Sequence, residues 1–399
     1  MNTLVGKNVT IGVTGSIAAY KSCELVRNLV KEDISVQVIM TKNAANFITP
    51  LTLQTLSGKK VATDAFDLGW ESEIGHIHLA DSTGLIVVAP ASASFIGKLA
   101  NGITDNLLST VIIASKAPVL ICPAMNVNMY NNPLVQDNIK KLKKSGIIFI
   151  EPYEGDLACG WEGRGRLADI SDISNEIFRI LYPDDLKGKN VLVTTGATRE
   201  FIDPLRFISN PSSGKMGFSI AQAAWLRGAD VTLISAHTDS PPPYGIKIIE
   251  VENANDMYKK VMSNLKDKDI IIKAAAVSDY KVKNKSLNKI KKSSGNISLE
   301  LSRTKDILKE IGQQKNGAFI VGFAAETENL IENSAKKLKN KKADLIVANN
   351  ISQEGAGFEV QTNIVSILNS EGKIIELPLM SKADLGHKIL DIVIENNKN

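Results

Sequence analysis

The chain has 399 residues, 44% hydrophobic and 23% charged, with 28 glycines and 13 prolines; these proportions exclude a disordered, collagen-like or coiled-coil protein and allow two or three globular domains. Its formal charge of +4 is unevenly divided, with 16 Lys+Arg against 19 Asp+Glu in residues 1–186 and 31 against 24 in residues 187–399. No apolar run approaches the ~20 residues of a membrane-spanning helix, and three cysteines, Cys23, Cys122 and Cys159, make no disulfide framework.

The N-terminal segment runs directly into a strand-like pattern rather than a leader, so a cytoplasmic protein is expected, with no membrane partner. The basic excess of the second half is mostly lysine scattered among apolar runs, with few interleaved aromatics. No nucleic-acid partner is expected from it.

Two segments begin alike. Lys7–Gly15 and Lys189–Gly196 are β-branched runs ending in glycine, which is how the first strand of an open α/β domain reads. A turn-rich, charged stretch, Tyr182–Gly188, precedes the second. Domains are therefore expected at 1–186 and 187–399. In the first half, buried-strand runs recur at Val36–Met40, Leu85–Ala89, Val119–Cys122 and Ile147–Ile150, with helices at Ala18–Val30 and Leu134–Lys144. The second half repeats the scheme with strands at Val231–Ser235, Ile270–Ala274, Phe319–Phe323 and Leu345–Ala348. Its helices are expected at Gly217–Arg227, Asn255–Leu265 and Leu330–Lys341, followed by a hairpin, Asn363–Leu368 with Lys373–Leu377. Strands alternating with helices predict two Rossmann-like α/β domains, each a parallel sheet covered on both faces.

Ligands of such sheets bind beyond the carboxyl ends of the strands. After the first strand, Gly15-Ser16-Ile17-Ala18-Ala19-Tyr20-Lys21 opens a helix. Glycine permits the tight turn, and free N–H groups with a serine hydroxyl can hold a phosphate. The spacing is not GxGxxG, which disfavours a dinucleotide and leaves a mononucleotide or a plain helix cap. Thr41, Pro90–Ser94 and Pro123–Asn126 end further strands at the same edge. Gly75-His76-Ile77-His78-Leu79 carries two of the four histidines; these read as packed or capping residues, as a general base, or, least well, as part of a zinc site. Cys159 sits in the glycine-rich stretch Glu154–Arg166, the pattern of a mobile flap with an accessible thiol. Cys23 and Cys122 read as packing.

In the second half, Ser209–Gly217 fails as a Walker A loop, yet its N–H groups and Lys215 can receive a phosphate at a helix N-terminus. Lys281–Asn296, which holds Lys289, reads as a flexible charged loop. Lys337 and Lys341 share a helix face and repel unless an anion lies there. Ala274–Tyr280 and Val321–Thr327 follow strands with small residues that leave room for a base or ribose.

Gly15–Lys21, Gly75–Leu79, Pro123–Asn126 and Ala158–Arg166, in that order, resemble the flavin-containing cysteine decarboxylases, specifically the phosphopantothenoylcysteine decarboxylases. The resemblance implies a flavodoxin-like domain that binds FMN through Gly15, Ser16, Ile17, Thr41, Ser92, Ala93 and Ser94. It implies His76 as base, Asn126 as holder of the substrate carboxylate and Cys159 as proton donor. Ser94 departs from the commoner asparagine.

From about residue 189 onward, Asp203–Asn210 and the segments just named resemble the phosphopantothenate–cysteine ligases. That resemblance implies CTP contacts at Lys273, Ala274, Ala275, Asp279, Lys289, Lys305, Asp306, Ile307, Leu308, Phe323, Lys337 and Lys341. Asn210 and Lys289 would serve an acyl-cytidylate step, with Mg2+ carried by the nucleotide. Lys305 stands in place of the usual proline and Asn350 in place of the usual aspartate.

Such halves occur fused in this order in prokaryotes, so the whole chain resembles the bifunctional enzymes of coenzyme A biosynthesis. The implied partners are 4′-phosphopantothenate, L-cysteine and CTP, and the implied assembly is a homo-oligomer of flavin-domain trimers and ligase-domain dimers, up to a dodecamer. Two other classes stay open. A flavin-binding regulatory subunit is one, because relatives of the first half inhibit phosphatases. A dinucleotide dehydrogenase, disfavoured by the missing glycine fingerprint, is the other.

Overall fold

The computed structural model describes residues 4–64, 75–156, 160–291, 296–314, 317–326, 328–350, 357 and 360–397. The chain divides into two compact units, Met1–Pro183 and Asp184–Asn399.

The strands of the N-terminal unit are β1 (Asn8–Val13), β2 (Ser35–Met40), β3 (Leu85–Ala91), β4 (Val119–Pro123), β5 (Ile148–Phe149), β6 (Tyr153–Asp156) and β7 (Glu162–Arg166). Its helices are α1 (Ser22–Lys31), α2 (Pro50–Ser57), α3 (Gly75–Ser82), α4 (Ala93–Ala100), α5 (Leu107–Ala114), α6 (Val127–Asn131), α7 (Pro133–Lys144) and α8 (Ile170–Leu181). The first five strands form one parallel sheet in the order β2-β1-β3-β4-β5. The central strands β3 and β4 are buried and apolar along their whole length because both faces of the sheet are covered there.

Alternation along each strand sorts the side chains into two cores. Val9, Ile11, Leu85, Val87 and Leu120 meet Leu25 and Leu29 of α1 and Ile173 and Ile177 of α8 on one face. Ile39, Ile86, Val88 and Ile121 meet Ile96 of α4 and Leu108 and Val111 of α5 on the other. Each such fully buried aliphatic side chain stabilises the fold by about 1.5–3 kcal/mol relative to exposure. Helix α8 shows the matching pattern, with Ile170, Ile173, Ser174, Ile177 and Leu181 buried at helical spacing. The remaining two strands, β6 and β7, pair as a separate antiparallel hairpin.

The C-terminal unit contains strands β8 (Asn190–Thr195), β9 (Arg199–Phe201), β10 (Phe207–Ser209), β11 (Asp230–Ser235), β12 (Lys247–Glu250), β13 (Ile270–Lys273), β14 (Tyr280–Val282), β15 (Leu301–Arg303), β16 (Phe319–Glu326), β17 (Leu345–Asn350), β18 (Thr362–Asn369) and β19 (Ile374–Ser381). Its helices are α9 (Lys215–Leu226), α10 (Ala254–Ser263), α11 (Ile307–Gln313), α12 (Leu330–Lys341) and α13 (Lys382–Asn396). The main sheet runs β12-β11-β8-β13-β16-β17-β18-β19. Its first six strands are parallel, and β18 and β19 add the expected hairpin in antiparallel pairing. The short pairs β9–β10 and β14–β15 stand outside it.

Close helix packing fixes two positions as glycine. A Cβ at Gly217 on α9 would lie 2.4 Å from Thr195 Oγ1, and one at Gly386 on α13 would lie 2.9 Å from the Ser219 carbonyl oxygen of α9. Just beyond α9, the buried Arg227 forms ion pairs with Asp185 at 2.5 Å and Asp391 at 2.8 Å and donates to the His387 carbonyl at 3.1 Å. One guanidinium thus ties the first residues of this unit to its last helix.

Candidate active sites

The carboxyl ends of β1 to β4 surround a cavity of about 880 Å³. It lies where the strand order reverses between β1 and β3, the place where open sheets bind ligands. Gly15, Ser16 and Ile17 line it after β1, Thr41 after β2, Ser92, Ala93 and Ser94 after β3, and Asn126 after β4.

These turns are built by helix capping. Ser16 Oγ accepts from the Ala18 N–H at 3.4 Å, Ser92 Oγ from Phe95 at 3.4 Å and Asn126 Oδ1 from Asn128 at 2.8 Å. A cap satisfies one of the free N–H groups at a helix start, and the rest favour a bound anion. Thr14 joins two of the turns: its Oγ1 accepts from the Ser92 N–H at 2.9 Å and donates to the Pro90 carbonyl at 2.9 Å. Gly15 has no room for a side chain, since a Cβ would lie 2.6 Å from Asn43 Cβ.

The β6–β7 hairpin sits against the β4 turn. The Met125 N–H donates to the Gly165 carbonyl at 3.0 Å. A Cβ at Gly165 would lie 2.2 Å from the Met125 oxygen, and one at Gly163 would lie 2.7 Å from Val127 Cγ2. Two glycines of the predicted flap therefore exist because β7 rests on the segment around Asn126. Asp156, Gly165 and Arg166 of the hairpin line the cavity.

Cys159 itself lies outside the described residues. His76 is the second residue of α3, half-buried, and is not among the residues lining the cavity. The unit thus gathers Asn126 and all seven predicted flavin contacts in one cavity, without His76. Cys122 is buried in β4 and desolvation pushes its thiol up; burial also raises that of Cys23. Both are packed side chains. Among the described residues, no group of three or more His, Cys, Asp and Glu side chains is placed to hold a metal ion.

Sequence reasoning missed Lys98, Asp105 and Asn106 on the cavity wall, where Lys98 and Asp105 pair at 2.5 Å. The signal was there: Asn106 precedes an apolar run and caps α5 by accepting from the Ser109 N–H at 3.1 Å.

In the C-terminal unit five of the predicted CTP contacts, Lys273, Asp279, Asp306, Lys337 and Lys341, lie within electrostatic reach of one another beyond β13. Lys273 ends β13 and donates to the Ala275 carbonyl at 3.1 Å. Burial, and then the neighbouring Lys337, pull its ammonium down to about 8, opposed by Asp306 and Asp279. Lys337 donates to the Phe323 carbonyl at 2.8 Å, and burial lowers its pKa as well. Lys341 pairs with Asp306, which caps α11 by accepting from the Lys309 N–H at 3.0 Å and so places Ile307 and Leu308 at the helix start. The anion expected beside the two lysines of α12 is therefore, in part, the protein's own carboxylate.

Lys305, the residue in place of proline, lies 4.1 Å over the Tyr258 ring. Ala274 and Ala275 are held to Thr194 of β8 at 3.2 Å each. Asn210 Nδ2 donates to the Val277 carbonyl at 3.3 Å, which brings the Ser209–Gly217 loop against the segment after β13.

Lys289 is exposed, but its surroundings differ from the loose loop expected. The stretch begins in β14, and Ser286 and Ile290 are hydrogen-bonded to the segment after β9. A second cavity, of about 720 Å³, opens beside β11 and β12 between Arg199, His237, Glu250 and Lys259, and none of the predicted residues lines it.

Comparison with known proteins places two family models on the chain: "Flavoprotein" matches residues 2–182, and "DNA/pantothenate metabolism flavoprotein C-terminal domain" matches residues 186–396. The chain is 47% identical over 399 residues to the coenzyme A biosynthesis bifunctional protein CoaBC of Bacillus subtilis, covering 99% of this chain and 98% of that one. The proteins of the same description from Borreliella burgdorferi and Escherichia coli are 43% and 40% identical. The first match covers 97% of this chain and 99% of its relative, the second 98% of each.

Proposed function

The chain belongs to the family of coenzyme A biosynthesis bifunctional proteins, and from that premise we propose that its two units catalyse two consecutive steps. The C-terminal unit activates 4′-phosphopantothenate with CTP as an acyl-cytidylate and joins it to L-cysteine, releasing CMP and pyrophosphate. The N-terminal unit, a flavoprotein, decarboxylates the product to 4′-phosphopantetheine.

The observation that carries this reading is the cavity at the β1/β3 reversal. All seven predicted flavin contacts line it together with Asn126. Its donor set fits FMN: capped turns with further N–H groups suit the phosphate, and Gly15 lets the first turn pack directly on Asn43. FMN, when bound, would supply a two-electron oxidation of the cysteinyl side chain to a thioaldehyde that can absorb the electrons left by departing CO2, and its reduced form would return the two electrons as a hydride to give 4′-phosphopantetheine. The protein's own residues hold the substrate and move its protons. Asn126 holds the carboxylate, His76 takes the proton released in the oxidation, and Cys159 returns one to the enethiolate.

In the ligase unit, Lys273, Lys337 and Lys341 receive the triphosphate, with Mg2+ arriving on the nucleotide, and Lys289 engages it more strongly as pyrophosphate departs than in bound CTP. Asn210 and Lys289 stabilise the transfer of the cytidylyl group to the substrate carboxylate as pyrophosphate leaves. The units assemble as flavin-domain trimers and ligase-domain dimers, which light scattering on the whole protein checks. No helix among the described residues is long and apolar enough to cross a membrane, in keeping with a cytoplasmic site of action.

One assay tests the reading: purified protein with 4′-phosphopantothenate, cysteine and CTP, followed for pyrophosphate and CO2. Release of both is expected. Well-folded, flavin-bound protein that yields neither would leave the regulatory-subunit reading in its place.

A further inference from the structure

Lys289 stands in a stretch that has no helix or strand of its own between Val282 and Ile290. The stretch is fastened instead to the residues around β9 at three points. The Lys285 ammonium lies 5.0 Å over the Phe201 ring, and the Ser286 N–H donates to the Ile202 carbonyl at 2.9 Å. The third point grips the residue next to Lys289 on both of its backbone groups. The Ile290 N–H donates to Asp203 Oδ2 at 3.1 Å, and the Ile290 carbonyl accepts from Arg206 Nη2 at 2.6 Å.

Asp203 is the hub of this clamp. It is fully buried. Its Oδ1 accepts from the Leu205 and Arg206 N–H groups at 2.9 Å each, and its Oδ2 accepts from Arg206 Nε at 3.0 Å as well as from Ile290. One carboxylate therefore shapes the turn after β9, orients the Arg206 guanidinium and fixes the backbone one residue beyond Lys289. Burial pushes the Asp203 carboxyl up, but the hydrogen bonds outweigh it and hold the group well below the usual carboxylate range.

We infer that Asp203 is a positioning residue for ligation, acting through Lys289 by clamping Ile290. The inference rests on the role given to Lys289 above. A lysine on an untethered loop must be ordered at the moment of reaction, and a preset donor avoids that cost. Nothing else among the described residues of the stretch holds the backbone immediately beside Lys289 on both its N–H and its carbonyl.

Asp203→Asn separates the clamp from the turn. The amide oxygen can still accept from Leu205 and Arg206, whereas the amide nitrogen cannot accept from Ile290 or from Arg206 Nε. Steady-state pyrophosphate release by the full-length protein should show kcat lowered about tenfold with the KM for CTP within about twofold. The double variant Asp203→Asn/Lys289→Gln should be no slower than Lys289→Gln alone, because both changes remove one contribution.

Unchanged kcat in Asp203→Asn, or losses that multiply in the double variant, would overturn the inference. If Asp203→Asn no longer gives a calorimetric heat of CTP binding, Ile290→Pro deletes the N–H donor while leaving the hub intact, and the same two criteria apply. Normal ligation by Lys289→Gln would remove both the role of Lys289 and the clamp with it. Normal ligation by Asp203→Asn alone would remove only the clamp.

Discussion

In the function proposed above, the two units meet the same demand, holding a phosphate-bearing ligand at the carboxyl edge of a parallel sheet, with different materials. The N-terminal cavity is walled on its β1 and β3 side by small residues and backbone: Gly15, Ser16, Ser92 and Ala93 on turns capped by Ser16 and Ser92. The C-terminal site is made of charge, with Lys273, Lys337, Lys341 and Asp306 facing one another within hydrogen-bonding or Coulombic reach. The first is a matter of shape, so a methyl group can break it. The second is a matter of protonation and pairing, so pH and single charges govern it.

The largest effect should therefore come from the smallest addition on the shape-built side. Gly165→Ala places a methyl 2.2 Å from the Met125 oxygen and must lift β7 from the Asn126 turn. Misplacement of about 1 Å can cost 10²-fold, and CO2 release from supplied 4′-phosphopantothenoylcysteine should fall at least that far. Pyrophosphate release should stay at its normal rate; a joint loss of both activities would show that the contrast between the units is false.

On the charge-built side, Lys289→Gln should lower ligase kcat on the order of 10²-fold, the scale of a lost electrostatic donor. Decarboxylation should be untouched. A smaller effect is expected from pH. Lys273 titrates at about 8, so the KM for CTP should rise several-fold as pH passes that value, and Lys273→Met should flatten the rise. The sign for stability is opposite to that of an ordinary paired lysine. With a folded-state pKa below the ordinary lysine value of 10.5, the unliganded fold binds fewer protons than the unfolded chain between about pH 8 and that value. Lys273 thus opposes folding at neutral pH, and that opposition fades as pH rises from about 8 toward the unfolded value. Lys273→Met should accordingly raise the Tm of the ligand-free protein at pH 7 and raise it less at pH 10.

Cys122→Ser closes the series with no expected change in either activity. It puts a hydroxyl into an apolar strand and should cost about 1–3 kcal/mol of stability in denaturant unfolding. Loss of decarboxylation at full stability would return this thiol to the chemistry.

Much of the fold was legible because the central strands of both main sheets are buried on two faces and read as apolar runs, as in β3, β4 and β13; α12 matches its expected bounds, Leu330–Lys341, at both ends. What escaped was short or amphipathic in the wrong measure. Strands β9, β10, β14 and β15 have three residues each, too few for any period to register. Helix α5 is apolar on nearly every side and so reads as a strand as easily as a helix. The loops that line the N-terminal cavity were legible because glycine and serine at strand ends carry backbone meaning. The Asp203 clamp was not, because its partner Ile290 is 87 residues away and contributes only main-chain atoms, which no residue type announces.

The Arg227 junction sets an order of assembly during synthesis. Its guanidinium is buried, yet one of its two carboxylates belongs to Asp185 and the other to Asp391. At translation rates of ~5–20 residues per second, roughly 10–40 s separate the emergence of these two residues from the ribosome. Throughout that interval the N-terminal unit, whose last helix ends at Leu181, already has every segment it needs. The nascent C-terminal unit, by contrast, holds a half-neutralised cation that favours staying open. The flavoprotein half can thus collect its cofactor while the ligase half is still being made.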